Sequence, residues 1–153
     1  DDSASLILIL DLRLSLSINA AQTRYQLDPV LRAVEDGESA EISGTVANSL
    51  ISRSDCLNGV AVYAFKGADI VADERDGAGV EPVASSLVQR AGVNNAATYR
   101  LRFMPAGSYT LALTCDGERE NGLRVADPEM LFDRSTNVEV DAGEIEADAD
   151  FPS

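Results

Sequence analysis

Between Ser5 and Ile18 the chain reads Ser-Leu-Ile-Leu-Ile-Leu-Asp-Leu-Arg-Leu-Ser-Leu-Ser-Ile, with an aliphatic side chain at every second position: Leu6, Leu8, Leu10, Leu12, Leu14, Leu16 and Ile18. Strict period two is the mark of a β-strand, because successive side chains leave it on opposite faces. The strand predicted over 5–18 is about twice the usual length. Its other face, Ile7, Ile9, Asp11, Arg13, Ser15 and Ser17, is apolar and then polar. The first half is therefore expected to be covered on both sides, and the second half to show one side to water. Only Asp1 to Ala4 precede it, so its partner is expected downstream or on a second copy. Burying seven such side chains is worth roughly 10–20 kcal/mol gross, an upper bound that excludes a loose segment.

Turn clusters divide the remainder into short strands. Asn19 to Arg24 is a polar turn. Pro29 holds the residue before it extended, and Val30 to Val34 continues in that conformation. Ala40 to Val46 alternates as a half-buried strand, while Val60 to Phe65 is apolar on both faces. Val80 to Arg90 reads as a weaker strand. Tyr99, Leu101 and Phe103, turned at Pro105-Ala106-Gly107 and followed by Tyr109, Leu111, Leu113 and Cys115, predict a hairpin. Met130 to Phe132, Asn137 to Val140 and Glu144 to Phe151 complete the pattern. No stretch keeps helical periodicity for three turns. The expectation is an all-β, antiparallel sandwich of eight or nine strands, transthyretin-like or immunoglobulin-like, forming one domain over 1–153 with a long N-terminal strand.

Ile42-Ser43-Gly44-Thr45-Val46, Gly59-Val60-Ala61-Val62, Tyr99-Arg100-Leu101 and Met104-Pro105-Ala106-Gly107-Ser108-Tyr109-Thr110-Leu111 together resemble the carboxypeptidase regulatory-like, or transthyretin-like, superfamily over about residues 40–115. Asp11-Leu12-Arg13, followed by Tyr25-Gln26-Leu27-Asp28-Pro29-Val30-Leu31-Arg32, is similar to a family of bacterial surface proteins known only as a domain of unknown function. The resemblance implies a β-sandwich that serves as a structural or binding module without catalytic residues. Members of that family are typically exported, often lipid-anchored and longer, with another domain ahead of this point. No N-terminal cysteine stands here to take a lipid.

Charge narrows the partners. The chain has 153 residues, 26 acids, 12 bases and a net charge of −14, and no basic cluster offsets it, so nucleic acid is not an expected partner. The longest apolar run, Leu6 to Leu10, is far short of the roughly 20 residues of a spanning helix, and no basic segment with an apolar stretch opens the chain. A chain without a membrane span, already processed, is expected. Cys56 and Cys115 form no Cys-x-x-Cys pair and the chain has no histidine, which removes the usual zinc and redox patterns. The expected state is a disulfide between them, with two separate buried thiols as the alternative. A disulfide places the protein outside the cytoplasm, in the periplasm, outer envelope or extracellular space.

Candidate chemistry is sparse. Asp69, Asp73 and Asp76, with Glu74 between them and Gly77 and Gly79 after, offer oxygen ligands for calcium, although their spacing is not that of the standard calcium loop; a solvated acidic loop is the plain alternative. Asp116, Glu118 and Glu120 form a second acidic group. Glu144, Glu146, Asp148 and Asp150 share one strand face, to be neutralised by calcium, by Arg100 and Arg102, or by water and salt. With no histidine, no Gly-x-Ser-x-Gly and no Ser-x-x-Lys, nucleophilic catalysis has no obvious residues, and no enzyme is expected. Two roles follow. The first is a structural subunit of an extracellular filament or surface assembly, a homo-oligomer or polymer in which residues 1–18 are donated to a neighbour. The second is a monomeric envelope module that binds calcium or a polysaccharide. No other cofactor is expected.

Overall fold

Alternating apolar positions form strands throughout the computed structural model, which describes residues 3–19, 21, 23–56, 59–77, 79–91, 96–119, 130–144 and 147–153. In chain order the strands are β1 (Leu6–Leu10), β2 (Leu16–Ile18), β3 (Tyr25–Leu27), β4 (Leu31–Glu35), β5 (Ala40–Val46), β6 (Ala61–Lys66), β7 (Ala84–Leu87), β8 (Gln89–Ala91), β9 (Ala96–Met104), β10 (Gly107–Thr114), β11 (Phe132–Val140) and β12 (Ala147–Asp148). Eight of them make two four-stranded sheets, ordered β11-β10-β6-β7 and β12-β5-β9-β8, which face each other as a sandwich. β1 with β4, and β2 with β3, form two separate two-stranded ribbons. Every pairing is antiparallel except that of β12 with β5.

The inner faces explain the sandwich. Ile42, Val46, Tyr99, Leu101 and Met104 from one sheet meet Val62, Ala64, Tyr109, Leu111, Leu113 and Val140 from the other. The β6 sheet is apolar on its outer face as well, where Ala61, Tyr63, Phe65 and Ala112 make a second core. Two-sided burial is what the continuous apolar run of β6 dictates. Cys56, at the end of a 3-10 turn over Ser54–Cys56, is bonded to Cys115 just after β10, across 59 positions of sequence.

Four expectations change. The predicted hairpin is instead an arch: β9 pairs with β5 and β8, while β10 pairs with β6 and β11, so the turn at Pro105 carries the chain from one sheet to the other. Both strands still point their apolar residues into one core, but from opposite sides, and alternation cannot distinguish the two cases. The Tyr109 hydroxyl donates to the Pro105 carbonyl at 2.7 Å and ties the arch closed. Phe103 does not continue the inward row. Its φ is 55° and the register skips it, with Arg102 opposite Glu41 and Met104 opposite Ala40, so this bulge turns Phe103 outward and Met104 inward. The weak strand over 80–90 is two strands in different sheets, β7 and β8, separated at Val88. Met130 to Val140, expected as two strands, supplies one, β11.

The C-terminal strand sits where glycine leaves room. Ala149 and Phe151 donate backbone bonds to Ser43 and Thr45, and the Tyr99 hydroxyl donates to the Ala149 carbonyl. A Cβ on Gly44 would collide with that carbonyl, lying 2.7 Å from its carbon and 3.0 Å from the Tyr99 ring. Gly44→Ala is therefore expected to destabilise the fold by about 1–3 kcal/mol through overpacking. Chemical denaturation reads the loss, and proteolysis should cut the C-terminal segment first; a variant as stable as the parent would mean that the strand lies elsewhere.

Candidate functional site

The N-terminal leader is the most unusual surface of the molecule, and its course departs from a continuous strand. It is broken after Leu10 by a single helical turn over Leu12–Ser15. Asp11 causes the break. Its carboxylate accepts from the Leu14 backbone N–H at 3.2 Å, as a helix N-cap does, and from the Ser85 N–H of β7 at 2.8 Å. The turn exchanges period two for helical spacing, and that reverses which residues are buried.

Leu14, 1% exposed, becomes the plug of the outer core, packed with Ala61, Tyr63, Phe65, Ala112 and Met130. Arg13 lies over the Tyr63 ring, 5.4 Å from its centre, and donates to the Tyr63 hydroxyl at 2.6 Å and to the Gly117 carbonyl. Ser15 is fully buried, and its hydroxyl accepts from the Val30 N–H at 2.9 Å. Arg32 of β4 donates to the Val83 carbonyl at 2.7 Å and to that of Arg102 at 3.3 Å. Burial lowers the Arg32 pKa from its ordinary value, opposed by the nearby Asp11 carboxylate. Asp11, Arg13 and Arg32 fasten the leader and its partner strand β4 to the sandwich.

Beyond the latch, the apolar residues point to solvent. β1 runs antiparallel to β4 with Leu6 opposite Glu35, Leu8 opposite Ala33 and Leu10 opposite Leu31. The leader thus has a partner in its own chain, outside both sheets of the sandwich. Leu8 is 72% exposed, Leu6, Leu10 and Leu31 are exposed with it, and on the next ribbon Leu16, Leu27 and Tyr25 are exposed too. Leu12 is also exposed, and Ile18 is half-buried in β2. The expected burial of all seven alternating residues is corrected to one, Leu14: in β1 the half-buried face carries Ile7 and Ile9 and leaves Leu6, Leu8 and Leu10 outside, and only the turn after Asp11 brings a leucine inward.

The acidic groups turn to local partners. Asp69, at a φ of 57°, accepts from the Asn137 side-chain amide at 2.7 Å. The Asp73 carboxylate accepts from the Glu74 N–H at 3.0 Å, and the Asp76 N–H donates to the Glu74 carbonyl at 3.1 Å. Asp116 accepts from the Leu131 N–H at 3.2 Å, and Glu118 lies in a 3-10 turn over Gly117–Arg119. Among the described residues no three acids or cysteines gather as a metal site. Glu120 and Glu146 lie outside the described residues.

On the outer face of the β5 sheet, a groove of about 700 Å³ is lined by Ser43, Thr45, Arg100, Arg102, Asp148 and Asp150 among others. Arg100 and Arg102 both pair with Glu41, at 3.0 and 3.3 Å, and Asp150 accepts from the Thr45 N–H at 2.6 Å. Burial, and then the Asp150 and Asp148 carboxylates, push the Tyr99 pKa well above its ordinary value. No protein-family model and no curated protein matches the chain.

Proposed function

We propose that the chain is a non-enzymatic structural subunit of an extracellular filament or cell-surface assembly, in which copies join by donating the N-terminal strand β1. One observation carries this reading: Leu6, Leu8 and Leu10 stand exposed in a row on a two-stranded ribbon outside the sandwich. A contiguous apolar patch of this kind marks an interaction surface. The leucine face of this ribbon is open to water, so covering it with a neighbour is favourable. Location outside the cytoplasm is supported by the Cys56–Cys115 bond. No described helix is long and apolar enough to cross a membrane.

Leu8→Asp tests the reading. Leu8 is exposed, so the change is expected to alter stability by less than about 0.5 kcal/mol. Light scattering on the full chain should show species that grow with concentration, and the Leu8→Asp variant should stay monomeric. A parent chain that remains monomeric at every accessible concentration would end the proposal.

A further inference from the structure

If copies join through β1, the sandwich must offer a place to receive it. We infer that the open edge of β11, with the groove beside it, is the acceptor for strand β1 of a second copy. The inference rests on the assembly reading above and adds to it the receiving site.

Each sheet of the sandwich ends in two edge strands. β7, β8 and β12 are short, with 4, 3 and 2 residues, and the Asp11 carboxylate already takes the Ser85 N–H of β7. β11 has 9 residues and, among the described residues, pairs on one side only, with β10. A long edge with unpaired backbone groups is a template for strand addition. Along its first half runs a groove of about 770 Å³, whose apolar lining includes Ile70, Val71, Met130, Leu131 and Phe132. Val71 is 87% and Leu131 68% exposed.

β1 complements this site. Among the described residues β4 alone pairs with it, so it too has an open edge and can add to β11 without leaving β4. Its 5 residues match the first half of β11, and its exposed leucines would lie against the apolar groove. Charge agrees. Residues 3–10 carry no charge, and of the two acids that line the groove, Asp69 and Asp133, the second pairs with Arg53 at 2.8 Å and has Arg134 beside it in sequence, so the repulsion expected between copies of net charge −14 is reduced here. Donor and acceptor edges are different elements, and such a head-to-tail contact extends without closing unless its rotation returns on itself.

The test uses two variants of the full chain. Leu131→Asp, at an exposed position, should keep the parent melting temperature and abolish growth beyond the monomer; Val71→Asp serves in its place if Leu131→Asp does not fold. Leu8→Asp keeps the acceptor and loses the donor, and Leu131→Asp keeps the donor and loses the acceptor. Mixing them should give a one-to-one heterodimer and nothing larger, read by light scattering. Assembly of Leu131→Asp at the parent level would overturn the acceptor assignment while leaving leader-driven association intact. A mixture that stays monomeric would overturn it as well, and a monomeric parent would overturn both readings.

Discussion

Removing the Cys56–Cys115 bond, by reduction or by joint substitution of both cysteines with alanine, is expected to lower the unfolding free energy by about 4 kcal/mol. The bond closes 59 positions of sequence, and the chain-entropy account of a loop that long gives that magnitude. Its place in the fold favours the full effect. Cys56 follows the loop that leaves β5, Cys115 directly follows β10, and both are buried in the core between the sheets. Without the bond, residues 47–56 keep the buried Ile51, the bond from Arg90 to the Ile51 carbonyl at 2.7 Å, the bond from the Ala47 N–H to the Phe151 carbonyl at 2.9 Å and the Arg53–Asp133 ion pair at 2.8 Å. For a chain of this size the loss corresponds to roughly 10 °C in melting temperature. Calorimetry with and without reductant measures it. An unchanged transition would show that the two thiols are unbonded in solution, and the argument for an exported protein would fall with them.

How far the sequence reaches is clearest where a strand's own pattern is complete. In β6 both alternating sets, Val62 and Ala64 against Ala61, Tyr63 and Phe65, are apolar, and both faces are buried. The row Tyr109, Leu111, Leu113 likewise faces the core as its period requires. What a strand does not encode is the identity of its neighbour. β9 and β10 are adjacent in sequence and alternate in phase, yet they belong to opposite sheets, because pairing is fixed by contacts far along the chain.

The leader exposes the same limit more sharply. Period two shows that Leu6, Leu8 and Leu10 share a face; it does not say whether that face is covered. The first charged residue after Asp1 and Asp2, Asp11, is a residue type that caps helices, and Leu10 and Leu14 have helical spacing. That signal is present in the sequence, but seven consecutive matches to a strand outweigh it. That β11 pairs on one side only among the described residues leaves no trace in its own sequence, since an edge is defined by what lies beside it.

Truncating Leu14 to alanine is expected to separate the leader from the sandwich. The side chain is 1% exposed among Ala61, Tyr63, Phe65, Ala112 and Met130, and a buried Leu→Ala change costs about 2–5 kcal/mol. The loss need not appear as global unfolding, because the core between the sheets contains no leader residue. It should fall first on the docking of residues 11–15, which hold β1 and β4 in place through Asp11, Arg13 and Ser15. Native-state hydrogen exchange resolves the two cases. Protection of the β1 and β2 amides should drop at least about 30-fold, matching the lower bound of that cost, while β6 and β10 keep most of theirs. Equal loss across the molecule would mean that leader and sandwich unfold as one unit, and Leu14 would then belong to the global fold and not to a separate fastening.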